Sequence, residues 1–288
     1  MVESNWRLIP PIVASGRMQM AIDRWLFEQH SEGVHPPTLR FYTWLPVAIS
    51  LGYHQRRYPD HWRSLTWQGA PIDIVRRPSG GRAVLHQGDL TYAVITSGAM
   101  GNRLQTYEAI CQFLIDGWRS LHVSLAFGQS QRSYIHNPNC FGTATGADLV
   151  LANGSKLIGS AQVWRGQTVL QHGSIRLEPD LGLFEQVFGA SDGSNLRAEL
   201  PERWLAEAAS KGRTERLAHL ATLRSPESQD GMLDVVLMPF LIEALTMAAQ
   251  TRFGISLIEQ PLSDREWQAI EAIAAKLDRL WADPAVSQ

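Results

Sequence analysis

Cysteine is scarce in this chain of 288 residues, which holds two, Cys111 and Cys140. That excludes a disulfide framework, and a chain of this length can bury enough core to do without one. Lysine is nearly absent. Lys156, Lys211 and Lys276 stand against 23 arginines. Such a bias follows genome base composition, so most of it carries no chemistry. It singles out any lysine inside a motif, because arginine cannot replace a compact ammonium. Net charge is missing as well: 26 basic and 28 acidic side chains leave −2, which argues against a general binder of nucleic acid or anionic membrane. Long apolar runs are also lacking. Residues 1–20 offer only Leu8-Ile9-Pro10-Pro11-Ile12-Val13, too short and proline-broken for a signal peptide. The stretch 235–249 contains Pro239 and Glu243 and is too short to span a bilayer. The expectation is a soluble cytoplasmic protein with neither nucleic acid nor membrane as partner. What is present is core material, 44% hydrophobic residues with 10 Trp, the composition of a folded globular protein.

Periodicity orders the chain. Met18, Ile22 and Leu26 predict a helix over 17–30. Residues 41–53 are aromatic and β-branched and read as strand, with Pro46 as a break or edge. Residues 72–77 read as a short strand, Gly80-Gly81 as a loop, and 83–96 as extended with a turn at Gln87-Gly88-Asp89. Leu104, Tyr107, Cys111, Leu114 and Trp118 form one stripe of a helix over 102–121, capped by Asn102. Asn153-Gly154 predicts a tight hairpin, and 160–164 with 168–177 a second strand pair around Arg165-Gly166. Ser191 to Asn195 read as loop, 202–209 as a helix opened by Pro201, and 225–231 as a polar linker. Two helices, 234–252 and 263–282, close the chain, the second with the capping box Ser263-x-x-Glu266. Strands and helices mix without βαβ alternation. The fold class is α+β, a mixed, largely antiparallel sheet flanked by helices, with a helical C-terminal extension.

Two segments concentrate chemistry. In Arg76-Arg77-Pro78-Ser79-Gly80-Gly81-Arg82-Ala83-Val84-Leu85-His86, a glycine pair after a strand lets backbone amides approach an anionic or carbonyl-bearing ligand. A plain hairpin turn with exposed arginines fits equally. In Asn153-Gly154-Ser155-Lys156-Leu157-Ile158-Gly159-Ser160-Ala161-Gln162, small residues beside Lys156 leave room for a ligand. A solvated lysine at a hairpin tip is the plain alternative. Cys111, on an apolar helical stripe, reads as a structural thiol. Cys140, in the polar loop His136-Asn137-Pro138-Asn139-Cys140-Phe141-Gly142, is the better candidate for an activated one. No histidine or cysteine spacing fits a metal site.

Taken together, these segments resemble the lipoate–biotin protein ligase superfamily. Residues 76–86 are similar to its RRxSGGxAVxH signature, 153–162 to NGxKxxGSAQ, and Gln171-His172-Gly173-Ser174-Ile175 to the HGxxL element that follows. Met20-Ala21-Ile22-Asp23 and Pro36-Pro37-Thr38-Leu39-Arg40-Phe41-Tyr42 also fit, although Arg24 stands where the family often has Glu. Arg82 in place of a third glycine, Asp89-Leu90-Thr91-Tyr92 and Cys140-Phe141 resemble the octanoyltransferase and amidotransferase branches. The resemblance implies a catalytic domain over 1–230 with the helical extension 231–288 packed on it. It implies transfer of octanoyl from acyl carrier protein to the target lysine of a lipoyl domain, of the glycine cleavage H protein or a 2-oxoacid dehydrogenase E2. Cys140 would be the nucleophile and Lys156 its electrostatic partner. Arg76, Ser79, Gly80, Gly81, Arg82, Val84, His86, Gly159, Ser160, Ala161, His172 and Gly173 would bind substrate, with Val84 and Leu85 lining the acyl slot. No cofactor or metal is expected. ATP and Mg would be needed only by the alternative, an ATP-dependent lipoate–protein ligase. Transfer between two lipoyl proteins is the other alternative.

Overall fold

The structure, a computed structural model, describes residues 4–98, 101–128, 147–189 and 232–282. Its strands are β1 (Ser4–Ala14), β2 (Thr38–Trp44), β3 (Ala48–Leu51), β4 (Thr66–Trp67), β5 (Ala70–Pro71), β6 (Asp73–Arg76), β7 (Val84–His86), β8 (Asp89–Ser97), β9 (Ala126–Phe127), β10 (Leu149–Val150), β11 (Lys156–Arg165), β12 (Thr168–Arg176) and β13 (Ile255–Glu259). The helices are α1 (Gly16–Ser31), α2 (Arg103–Ser120), α3 (Leu181–Phe188), α4 (Met232–Phe253) and α5 (Asp264–Ala282). Among the described residues, eight strands form one mixed sheet in the order β13-β1-β2-β8-β12-β11-β10-β9. The β13/β1 and β1/β2 pairs are parallel and the others antiparallel. A small sheet, β6-β3-β7, and the β4/β5 hairpin stand beside it.

Strand alternation sorts the core into two faces. Leu39, Phe41, Tyr92, Val94, Val169 and Ile175 point to one side, where Ile110, Leu114 and Trp118 of α2 and Leu241 and Leu245 of α4 cover them. Tyr42, Trp44, Ala93, Ile95 and Leu170 point to the other, against Met20, Ile22 and Leu26 of α1 and Ile270 of α5. A third cluster joins the small sheet to α3 through Ile49, Leu51, Trp62, Leu85 and Phe184.

Local signals explain the helix starts. The Asn102 side chain accepts from the Gln105 amide at 3.0 Å, and Gln105 answers at 2.8 Å, a complete capping box. Ser263 and Glu266 do the same for α5. The break expected at Pro46 divides the stretch over 41–53 into β2 and β3, which enter different sheets. Two features depart from the sequence reading. Leu157-Ile158 and 160–164 are one ten-residue strand, β11, that serves both hairpins. Between the two terminal helices lies β13, five residues that join the large sheet beside β1. The predicted helix over 202–209, the loop at 191–195 and the linker at 225–231 lie outside the described residues.

An ion pair of the buried Arg7 with the half-buried Glu266 fastens the C-terminal segment. Arg7, on β1, donates to Glu266 at 2.7 and 3.0 Å and to the carbonyls of Gln260 and Pro261 at 3.0 and 2.7 Å. Burial alone would raise the Glu266 carboxyl. The hydrogen bonds from Arg7 and Ser263 override it and hold the group at about 2, below its usual 4.5. A carboxyl depressed by folding stabilises fully above its unfolded value and loses that contribution as pH falls through its folded one. Glu266→Gln is therefore expected to lower unfolding free energy by about 1.5–3 kcal/mol at neutral pH. In urea titrations carried down in pH, the wild type loses this increment between about 4.5 and about 2, while the variant's curve is flatter.

Candidate active site

The segment between β6 and β7 is wound around one side chain. The buried Arg77 guanidinium donates to Gly80 O at 2.8 Å, Arg82 O at 2.7 Å, Ser50 O at 2.9 Å and Ser50 Oγ at 3.2 Å. Gly81 takes φ +98°, a region that only glycine enters at low cost. Its carbonyl then presses on Gly52, where an added Cβ would lie 1.8 Å from that oxygen. The Gly81 carbonyl is thus packed against Gly52 at the end of β3, while the pair itself stays open to solvent.

Two histidines flank this loop, each held from behind by an aspartate. His172, on β12, meets Asp23 of α1 through Nδ1 at 2.9 Å and Ser79 Oγ through Nε2 at 2.5 Å. Asp23 is fully buried and also accepts from Arg40 at 3.0 Å and the Tyr42 hydroxyl at 2.9 Å. Burial first, and the Asp23 charge second, push the Tyr42 phenol well above its usual range, so it stays a donor. His86, on β7, meets Asp89 through Nδ1 and Ser50 Oγ through Nε2, both at 2.8 Å.

Between these groups lies a cavity of about 130 Å³, set where the α1 face of the large sheet meets the small sheet. Gly81, Arg82, Val84 and His86 form one wall. Lys156, Gly159, Ser160 and Ala161 of β11 form another, with His172 and Gly173 of β12. Met20, Tyr42 and Trp44 supply apolar and aromatic surface. Arg76, Ser79 and Gly80 stand outside this lining: Arg76 donates to the carbonyls of Gly52, Tyr53 and Gln55, and Ser79 is one step behind, on His172. Leu85 is not on the wall either. It alternates away from Val84 and His86 into the third core cluster, because neighbouring strand residues face opposite sides.

Lys156 is not a solvated hairpin residue. It is 3% exposed, and its Nζ lies 2.8 Å from Asp148 Oδ1. Its stem passes over Gly159, where an added Cβ would fall 2.8 Å from Cε and 2.9 Å from Nζ. The lysine signature therefore includes a glycine for a spatial reason. Ser160 is fixed from beneath by the Tyr92 hydroxyl at 2.8 Å, and Tyr92 in turn accepts from Gln171 at 3.0 Å. Cys111 lies under the same strands, where burial pushes its thiol up to about 12, and it accepts from Gln171 at 3.2 Å. It is a structural thiol, as its place on the apolar stripe predicts. Cys140 and Lys211 lie outside the described residues.

Residues 15–206 match the lipoyl protein ligase A/B catalytic domain. The chain belongs to that family. Octanoyltransferase LipM of Lysinibacillus sphaericus is 33% identical over 218 residues, covering 70% of this chain and 78% of the relative. Octanoyltransferase LipM of Brevibacillus brevis is 38% identical over 191 residues, covering 62% and 68%. Among solved structures, a lipoate–protein ligase A bound with ATP superposes with a TM-score of 0.63 at 19% identity, covering 99% of this chain and 98% of the other. A bipartite lipoate protein ligase of Thermoplasma acidophilum, studied with its E2 lipoyl domain, gives 0.64 at 18%, covering 100% and 96%. These two show the shared fold.

Sequence reasoning assigned no role to Asp23, Arg77 and Asp89, which lie in the family-like segments, and missed Ser50 and Asp148, which lie outside them. Asp23 had a signal, an acid between Ile22 and Leu26 on an otherwise apolar helix face. Asp148 had one too: the hairpin expected at Asn153-Gly154 folds β10 back on β11 and brings Asp148 to Lys156.

The contact between Lys156 and Gly159 is open to test. Gly159→Ala pushes against the flexible end of a lysine rather than against backbone, so its thermal midpoint should stay within a few degrees of wild type, a change of about 1 kcal/mol or less. The ammonium must move, and acyl transfer should fall roughly tenfold or more at saturating substrate. A variant as active as wild type would show that the lysine position does not matter.

Proposed function

We propose that this chain moves an octanoyl group from acyl carrier protein to the target lysine of a lipoyl domain through an acyl-cysteine on Cys140. The chain is an acyltransferase of protein lipoylation, a reading supported by its family and by relatives named octanoyltransferases at 33–38% identity. The observation that carries the finer reading is Lys156, held by Asp148 on the cavity wall that faces Gly81 and Arg82.

In the first half-reaction the Cys140 thiolate attacks the carbonyl carbon of the octanoyl thioester. The carrier's thiol leaves with a proton and the acyl group stays on sulfur. In the second, the lysine amine attacks that new thioester, the amide forms, and Cys140 regains its thiol. A thioester is already activated, so neither ATP nor a metal enters the balance. Cysteine suits the task because it exchanges with a thioester at little free-energy cost. The Lys156 ammonium stabilises the oxyanion formed in each step, a contribution of about 2.7–4 kcal/mol for one well-placed donor. Met20, Tyr42, Trp44 and Val84 offer surface for the alkyl chain. The acceptors are the lipoyl domains of the glycine cleavage H protein or of a 2-oxoacid dehydrogenase E2, and the compartment is the cytoplasm. Among the described residues, no helix is long and apolar enough to cross a membrane.

Incubation with octanoyl-carrier protein and no acceptor, followed by peptide mapping, tests this. One octanoyl group on the Cys140 peptide is expected, with transfer to the lipoyl domain falling to background in Cys140→Ala. Lys156→Arg should lose roughly a hundredfold, because a planar guanidinium cannot occupy the ammonium's place over Gly159. Transfer that survives in Cys140→Ala, or that requires free octanoate plus ATP, overturns the proposal.

A further inference from the structure

We propose that Ser50, His86 and Asp89 form a second nucleophilic centre in this cavity, one that hydrolyses medium-chain acyl thioesters to the free carboxylate. The inference rests on the reading that octanoyl thioesters enter the cavity, but it does not require Cys140.

The three side chains stand in the order that serine nucleophiles need. Asp89 Oδ2 accepts from His86 Nδ1 at 2.8 Å, from Ser174 Oγ at 2.6 Å and from Thr91 Oγ1 at 3.2 Å. A carboxylate oxygen surrounded by donors assigns the proton to His86 Nδ1 and leaves Nε2 as an acceptor. That acceptor lies 2.8 Å from Ser50 Oγ, so the serine hydroxyl points its proton at a base. The imidazole cannot swing away: its ring stacks on Trp44 with centroids 3.9 Å apart and planes 17° from parallel. The Trp44 indole is itself fixed by a 2.8 Å hydrogen bond to Thr91 Oγ1.

Position separates this relay from its twin. Ser50 and His86 both line the cavity, whereas in the relay of Asp23, His172 and Ser79 the serine lies behind the wall. Among the described residues, only Ser50 joins a hydroxyl, its base and the acyl cavity. A cation is also in place. Arg77 Nη1 donates to Ser50 Oγ at 3.2 Å, which turns the hydroxyl proton away from the guanidinium and toward His86. The surrounding alkyl and aromatic surface of Met20, Trp44 and Val84 selects a medium-chain acyl group.

The step balances with water as co-reactant. Ser50 Oγ attacks the thioester carbonyl, its proton passes to His86 Nε2, the C–S bond breaks, and the thiol leaves with that proton. Water then attacks the serine ester, His86 takes one of its protons and returns it to Ser50 Oγ, and octanoic acid leaves, giving its proton to solvent as the carboxylate. The product is octanoate, formed when no amine acceptor is present.

Octanoyl-N-acetylcysteamine without acceptor, assayed for thiol release, and an octyl fluorophosphonate with peptide mapping test the centre on the full chain. Cys140→Ala is expected to release thiol and octanoate above the enzyme-free rate. Adding Ser50→Ala should abolish this, and adding His86→Gln should lower it by about a hundredfold. The fluorophosphonate, which needs no substitution and so no variant that folds, should label Ser50 of the wild type. Absence of label at Ser50, or thiol release unchanged by Ser50→Ala, overturns the inference. Failure of the acyl-cysteine reading shows elsewhere, as a Cys140 peptide free of octanoyl beside a labelled Ser50.

Discussion

The site depends first on a carboxylate that never meets water. Asp23 is buried on α1, and an unpaired charge there would cost several kcal/mol. Three donors from two strands offset it: Arg40 and Tyr42 of β2 and His172 of β12. A helix and two sheet strands are thereby fixed to one atom group, and His172 extends the chain of bonds to Ser79 and the glycine loop. The geometry of the ligand wall is set from the core outward. Because the network is polar and buried, it tolerates few arrangements, which is what a site needs to hold its donors within tenths of an ångström.

Arg77 does from the small sheet what Asp23 does from the helix. Its four acceptors are two loop carbonyls and two atoms of Ser50, so the loop conformation and the β3 strand are one unit. Each histidine of the cavity is then held between a fixed aspartate and a serine on this unit. The cavity is a seam between two sheets, pinned on both sides by buried charge rather than by a hydrophobic plug.

Much of this was legible in the residues. Turn chemistry placed both hairpins, since Asn153-Gly154 and Arg165-Gly166 leave little choice of backbone. Apolar stripes placed α1, α2 and α5 with their buried faces, and the signatures brought Lys156, His86 and His172 to one cavity. What failed was long-range. The strand β13 is five residues between two long helices, and only its pairing with β1 makes it a strand. Arg76 and Arg77 look alike in the sequence, yet strand alternation turns Arg77 inward to the loop and leaves Arg76 on the carbonyls of residues 52–55. Lys156 reads as a hairpin-tip lysine because its partner, Asp148, is met only when β10 and β11 close.

The placement of β13 bears on how the chain reaches this fold. Ser4 lies beside Ile255, and Leu8 beside Glu259, so β1 acquires its outer neighbour from residues made some 250 positions later. Until those residues leave the ribosome, β1 is an open edge of eleven residues that includes Leu8, Ile9, Ile12 and Val13, a template for pairing with other chains. Two consecutive prolines, Pro10 and Pro11, sit within that strand and lack the amide that an intruding strand would need. The pairing with β13 ends at Leu8, so the dipeptide guards the part of the edge that β13 leaves open.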